Sequence, residues 1–310
     1  MKNNLIFRKV FPDSTHALYN VAAWQKSDHD NIVLVSRMVE NPGNENTPDI
    51  GKLILFEIDQ EGKIIHERLI WEPLHSSFYL EDPRALVLPN GNIVIGLTSV
   101  MRSEIGFEPF PAYTFIESDS AWAGKLPPIT LIHTYGPGKN MTPVKKDTFM
   151  YRPESSDFHH RLLVFDINSK GETHSQTIDF PNDLDWAQWK IGTTMPPLWI
   201  NENEALMIFH GITKIDNKYI YSIGRAKLTF NDGKYFVKVD KNALITPDTF
   251  TKDGIPLEIE LHPKLRRVVY ACGGVIKRND PENLNLYVNV GDRTTYEVKL
   301  PLEELKEGLF

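Results

Sequence analysis

Glu81-Asp82-Pro83-Arg84-Ala85-Leu86-Val87-Leu88-Pro89-Asn90-Gly91-Asn92-Ile93-Val94-Ile95-Gly96-Leu97-Thr98 decides how this chain folds. Two apolar runs of strand length, Ala85 to Leu88 and Asn92 to Thr98, meet through Asn90-Gly91. Asn-Gly readily adopts the positive φ values of a tight hairpin turn, so the stretch predicts paired antiparallel strands. Comparable runs recur at Ile32 to Ser36, Lys52 to Ile58, Ile129 to Tyr135, Thr148 to Arg152 and Arg161 to Ile167. Further on come Ala205 to His210, Tyr219 to Leu228, Arg267 to Gly273, Leu284 to Val290 and Thr295 to Leu300. Turn dipeptides Glu61-Gly62, Lys170-Gly171 and Asp232-Gly233 punctuate them. Helical periodicity is scarce, and Pro301 to Glu307 is the best candidate for a turn or two of helix.

The chain is therefore expected to be all-β. Its strands arrive in pairs or fours, and radial repetition of four-stranded sheets buries many antiparallel strands without long free edges. A β-propeller is the expected architecture, with a β-sandwich pair as the alternative. No low-complexity linker divides residues 1–310, so they read as a single catalytic domain. The segment 101–125 reads as a long ordered loop.

Hydrophobic residues make up 41% and charged residues 24% of the 310 positions, the balance of an ordinary globular protein. The net charge of -7 argues against general affinity for nucleic acid or an anionic membrane surface. The start lacks a signal-peptide core and no run reaches the roughly 18 apolar residues of a membrane helix, so a cytoplasmic location is expected. The single Cys272 fits a reducing compartment and a packing role.

Polar residues interrupt the strand ends. Glu81-Asp82-Pro83-Arg84 opens an apolar strand with three ionisable groups, each costing several kcal/mol if desolvated without a partner. Pro83 fixes its own φ and disfavours helix at Asp82, so Asp82 is expected to be extended, at the end of a strand. A salt-bridged strand start and a catalytic acid both suit this pattern. Arg37, Arg152, Lys190, His210, Tyr221 and Asp292 occupy similar places elsewhere. Taken singly, each has an ordinary role as ion-pair partner, packing residue or turn residue; taken together they describe a constellation around a funnel.

The ordered series Asn20, Arg37-Met38-Val39-Glu40, Glu81-Asp82-Pro83-Arg84, Tyr151-Arg152-Pro153, Lys190-Ile191-Gly192 with Pro196-Pro197, Phe209-His210-Gly211, Tyr221-Ser222-Ile223-Gly224, Cys272-Gly273-Gly274 and Asp292 resembles glycoside hydrolase family 130. The resemblance implies a five-bladed propeller acting on β-mannosides, most often as a phosphorylase yielding α-mannose 1-phosphate. By the same resemblance Asp82 is the catalytic proton donor, and Arg152, Lys190, His210 and Tyr221 hold phosphate. Asn20, Arg37, Glu81, Arg84 and Asp292 bind or shape the sugar pocket.

Chemistry agrees with that assignment. Inverting hydrolysis needs a second carboxylate roughly 6.5–9.5 Å from the acid to activate water. Phosphorolysis needs only the acid, because phosphate is already an anionic nucleophile that Arg, Lys and protonated His can hold. One clear acid and three spaced bases fit phosphorolysis. The pattern also departs from the family: an arginine expected near Pro111 to Phe115 is missing, with Arg102 the nearest replacement, and the segment Lys139 to Pro143 is atypical. If the basic set is incomplete, Glu154 or Asp185 serves as the base of a β-mannosidase. A non-catalytic sugar-binding propeller and a scaffold for protein partners are further alternatives. Trp189 and Tyr79 are the preferred sugar-stacking aromatics, ahead of Phe78, Trp122 and Trp186. No metal or organic cofactor is expected, only inorganic phosphate as co-substrate with an oligosaccharide; a homo-oligomer is compatible with the chain.

Overall fold

The computed structural model describes residues 5–310 except 13, 15, 27–29, 41–48, 76, 105, 117–124, 135, 169–170, 217 and 253–264. The predicted Trp122, Tyr135 and Lys170 lie outside the described residues. The first strand, β1 (Ile6–Lys9), belongs to the last blade. Blade one is β2 (Ala17–Gln25), β3 (Ile32–Val39), β4 (Lys52–Ile58) and β5 (Ile64–Trp71). Blade two is β6 (Phe78–Val87), β7 (Ile93–Ser103), β8 (Gly106–Ile116) and β9 (Thr130–Leu131). Blade three is β10 (Gly138–Pro143), β11 (Thr148–Pro153), β12 (Arg161–Asn168) and β13 (Gly171–Asp179). Blade four runs β14 (Lys190–Thr193), β16 (Glu204–Ile215), β17 (Lys218–Asn231), β18 (Lys234–Val239), with β15 (Leu198–Trp199) on β16 and β19 (Leu265–Arg267) on β17. Blade five is β20 (Val269–Lys277), β21 (Asp280–Val290), β22 (Thr294–Pro301) and then β1, so the first strand closes the ring against the last. Helices α1 (Pro247–Lys252) and α2 (Leu302–Lys306) are short. The molecule is a five-bladed β-propeller.

The strands are apolar runs because both faces of a blade are covered. Five apolar clusters fill the spaces between neighbouring blades, and successive residues of one strand alternate between two of them. On β12, Leu162 and Val164 face blade four while Leu163 and Phe165 face blade two. On β3, Val33 and Val35 face blade two while Ile32 and Leu34 face blade five. Period-two alternation within a doubly buried strand reads in sequence as a continuous apolar run.

The predicted loop at 101–125 is corrected up to Ile116, while residues 105 and 117–124 lie outside the described residues. Residues 93–116 form a long hairpin, in register from Ile93↔Ile116 to Ser103↔Gly106. Its prolines, Pro109 and Pro111, sit in β8, whose other neighbour is only the two-residue β9; prolines are tolerated where the ladder hydrogen bonds run out. Among the described residues no helix is long and apolar enough to cross a membrane.

Candidate active site

The inner strands of three blades share one irregularity. On β6, Glu81 pairs with Thr98 and Arg84 with Gly96, so Asp82 and Pro83 together oppose Leu97. The same two-against-one count occurs at Asn20-Val21 on β2 and at Asn140-Met141 on β10. Asn20, Asp82 and Asn140 have φ of 56°, 53° and 65°, in the left-handed region that Asn and Asp tolerate best. The two sequence expectations for Asp82 are thus both corrected: it lies in the middle of a strand, and it is left-handed. Proline excludes right-handed helix from the residue before it, but a bulge offers a different exit, and it turns the aspartate toward the ring axis. The bulge of β10 presses so closely on β7 that a Cβ added to Gly96 would lie 2.3 Å from the Met141 carbonyl oxygen.

Hydrogen bonds tie these three residues together. Asn20 Nδ2 donates to Asp82 Oδ1, and Asn289 Nδ2 donates to Asn20 Oδ1. The Tyr270 hydroxyl lies 3.2 Å from Asp82 Oδ2 and 3.1 Å from Asn140 Oδ1. Beneath them Arg84 is fully buried. It donates to the Asp82 carbonyl at 2.7 Å, to Asn140 Oδ1 at 3.1 Å, to the Thr194 and Thr193 carbonyls at 3.1 and 3.3 Å, and to the Tyr270 hydroxyl. Arg84, expected to bind or shape the sugar pocket, lies under its floor as a support for Asp82 and Asn140.

Above this floor a cavity of about 350 Å³ opens. Eight of the residues expected at the site line it: Asn20, Arg37, Glu81, Asp82, Arg152, His210, Tyr221 and Asp292. Those assigned to the sugar come from blades five, one and two; those assigned to the anion come from blades three and four. Tyr79 also lines the cavity, and Trp189 does not: its ring stacks on Tyr219 at 4.5 Å with the Lys190 ammonium 4.4 Å over it. Phe78 packs against Trp71, and Trp186 against Phe209, so both are packing residues.

Charge is balanced pair by pair. Glu81 meets Arg37 at 3.1 Å and Lys139 at 3.2 Å. Burial alone would raise the Glu81 carboxyl, but Lys139 and Arg37 carry it below the ordinary carboxylate range. Glu154 bridges Arg152 at 3.0 Å and Lys190 at 3.1 Å. Burial opposes ionisation there too, yet the two cations hold Glu154 down at about 2. Lys190 stands behind this bridge, off the cavity wall, and burial lowers its ammonium with Arg152 adding to the effect while Glu154 opposes it. His210 was expected as a third cation. Burial, then the Arg152 and Arg84 charges, push it well below the usual imidazole value, so it is neutral near pH 7 and acts through hydrogen bonding alone. Among the described residues its Nδ1 and the Arg152 Nε have no hydrogen-bond partner.

Asp292 behaves oppositely. Burial pushes its carboxyl up to about 7, against the pull of Arg37 and with repulsion from Asp82. The folded chain therefore holds a proton on Asp292 that the unfolded chain releases near pH 4. That contribution to stability is complete below pH 4 and is lost as pH rises to 7. Asp292→Asn is expected to remove this slope, gaining about 1–2 kcal/mol on the native protein between pH 4 and pH 7 after solvent screening. Denaturant unfolding across that range measures it; parallel curves for the two proteins would exclude Asp292 as the titrating group.

Two other expected residues fall away. Arg102 is exposed on the β7–β8 hairpin and does not line the cavity; Lys139, from the segment that departs from the family pattern, supplies the extra cation. Asp185 is exposed and off the cavity wall, and its carbonyl accepts from the Thr213 hydroxyl. Sequence reasoning passed over Tyr19, Asp49, Lys139, Asn140 and Tyr270, all on the wall. A signal for one was present: Tyr19-Asn20, Glu81-Asp82 and Lys139-Asn140 are the same bulge, one blade apart.

The fold and site together define a five-bladed propeller whose funnel presents a gripped carboxylate facing a cationic flank. Solved structures with this fold include a β-1,2-mannobiose phosphorylase from Listeria innocua in complex with β-1,2-mannobiose. It has a TM-score of 0.66 at 14% identity, over 100% of this chain and 94% of that one. A glycosyl hydrolase from Bacteroides ovatus has a TM-score of 0.59 at 12% identity, over 96% of this chain and 89% of its own. A member of the GH130 family of mannoside phosphorylases, from work on glycoside hydrolases that target β-1,2-mannosidic linkages in Candida mannan, has a TM-score of 0.58 at 13% identity, over 92% of this chain and 84% of its own. The resemblance seen in the ordered motifs is thus matched by the fold. No family model matches the sequence, and no curated protein matches it.

Proposed function

We propose that this chain cleaves a terminal β-linked mannoside with inversion, using phosphate as the nucleophile and releasing α-mannose 1-phosphate. The observation that supports the reading is that Asp82, on its bulge, shares one cavity with Asn20, Arg37, Glu81 and Asp292 from blades one, two and five, which the resemblance assigns to sugar, and with Arg152, His210 and Tyr221 from blades three and four, which it assigns to phosphate. In this mechanism Asp82 gives its proton to the leaving oxygen, directly or through a sugar hydroxyl. The C1–O bond breaks as a phosphate oxygen bonds C1 from the opposite side. The proton lost by hydrogen phosphate on becoming a phosphomonoester returns through solvent to Asp82. Arg152 and Tyr221 orient the anion with His210 as a neutral partner, while Lys190 acts through the Glu154 bridge. No metal or organic cofactor enters this reading.

The test is a panel of β-mannobioses incubated with and without phosphate. Mannose 1-phosphate appearing only with phosphate is the expected result; free mannose in either buffer would replace this reading with hydrolysis. Glu154 favours that second reading, because its carboxylate already lies where an anion would pair with Arg152 and Lys190. A carboxyl held near 2 is a weak base, however, which favours its role as a charge partner. Glu154→Gln separates the two. Phosphorolysis predicts that removing the competing charge lowers the KM for phosphate several-fold, whereas a hydrolytic base predicts a loss of about 10²-fold or more in kcat. Lys190→Ala is expected to raise the KM for phosphate by roughly 10-fold while the mannoside KM moves little, since it leaves the Glu154 carboxylate less neutralised beside the anion, and a charge-assisted contact is worth about 1.5–3 kcal/mol. Unchanged phosphate dependence would make Lys190 purely structural.

A further inference from the structure

We infer that Tyr270 is the positioning residue that lets Asp82 alternate between its protonated and ionised forms, an inference that rests on Asp82 being the proton donor of the proposed reaction. A general acid must be held equally well before and after it gives up its proton. An ionised carboxylate only accepts hydrogen bonds, whereas a protonated one must also donate. Asp82 Oδ1 is taken by Asn20 Nδ2 in either form. Oδ2 faces the hydroxyl of Tyr270, 3.2 Å away.

That hydroxyl has one proton and two resting places for it, Asp82 Oδ2 at 3.2 Å and Asn140 Oδ1 at 3.1 Å. When Asp82 is ionised, Tyr270 donates to it, and Asn140 Oδ1 keeps the Arg84 Nη2 bond at 3.1 Å. When Asp82 is protonated and awaits substrate, the hydroxyl turns to Asn140 and its oxygen accepts the proton of Asp82, which a bound substrate oxygen takes over when the sugar enters. Arg84 donates to the same oxygen throughout, occupying its other lone pair. The Asp82 carboxyl, the Tyr270 hydroxyl and Asn140 Oδ1 each keep a partner in both states, and only one hydroxyl torsion changes. The ring cannot drift, because Tyr270 is buried and its ring stands edge-on to His210 with centroids 4.6 Å apart. A buried switch of this kind avoids the 1–3 kcal/mol that an unsatisfied polar group costs in whichever state lacked a partner.

Tyr270→Phe removes the hydroxyl and keeps the ring. On an unactivated β-mannoside kcat is expected to fall roughly 10- to 100-fold with KM within about 3-fold, the range of a lost charge-assisted hydrogen bond. The basic limb of the kcat–pH profile should move to higher pH, because the ionised form has lost its donor. Fluorotyrosine incorporated at position 270 keeps the shape and donates more strongly, so it should move the limb to lower pH; this also serves if the phenylalanine variant fails to fold. A basic limb unmoved in either variant, with wild-type kcat, overturns the assignment. If the wild type cleaves no mannoside, or Asp82→Asn keeps full activity, the proposed function fails first. If wild type is active, Asp82→Asn is not, and the Tyr270 variants match wild type, only this inference fails.

Discussion

Asp82→Asn is expected to reduce kcat on a β-mannobiose by 10²-fold or more while leaving substrate affinity nearly unchanged, given the usual size of acid catalysis. The amide is isosteric with the carboxyl and suits its surroundings. Asn20 Nδ2 still finds an oxygen, and the new amide nitrogen donates to Tyr270, whose proton turns to Asn140. What is lost is a transferable proton. A dinitrophenyl β-mannoside, whose leaving group departs without protonation, should therefore lose far less than the disaccharide. Steady-state kinetics on both substrates, with isothermal titration for binding, measures the contrast. Equal losses on the two would assign Asp82 a binding role, and full activity on the disaccharide would remove it from the chemistry.

Arg84→Ala is expected to be the most destabilising single change at the site, by about 3–5 kcal/mol, the cost of leaving buried partners uncompensated. Its acceptors come from four blades: the Asp82 carbonyl in two, Asn140 in three, the Thr193 and Thr194 carbonyls at four, and the Tyr270 hydroxyl in five. One guanidinium therefore ties together the inner rim of the ring. Lysine offers a single ammonium in place of the planar fork and should recover only part of the loss. At about 2–4 °C per kcal/mol, the alanine variant should unfold roughly 6–20 °C below wild type in a thermal scan. A midpoint within about 2 °C of wild type would show that water replaces the guanidinium, and that the hub is dispensable.

Legibility in the sequence followed burial. The middle strands of each blade, such as β3, β4, β11 and β12, are covered on both faces and stood out as apolar runs. The outer strand β5 exposes Ile64 to Leu69, and its charged residues hid it. Inner strands were hidden for a different reason: β2 and β10 carry Asn20, Lys139 and Asn140 because they border a polar funnel, and β14 carries Lys190, which pairs with Glu154 behind it. The aspartate of the site was legible through its neighbours Glu81, Pro83 and Arg84. Asn140 and Tyr270 were not, because an isolated Asn or Tyr is common and only the bulge and the ring axis bring them to the same carboxylate.

Local sequence thus determined the strand class, the turn at Asn90-Gly91, the apolar surfaces that must face another blade, and the list of chemically competent side chains. These depend on residue type and short spacing, which the chain carries by itself. Tertiary structure decided how that list divides. Closure of five blades made Arg84 a buried hub beneath the pocket, moved Arg102 and Asp185 away, brought Lys139 to Glu81 and placed Glu154 between Arg152 and Lys190. It also left His210 neutral and raised Asp292. Each of these outcomes depends on desolvation and on charges brought together from distant parts of the chain, and both arise only when the ring is closed.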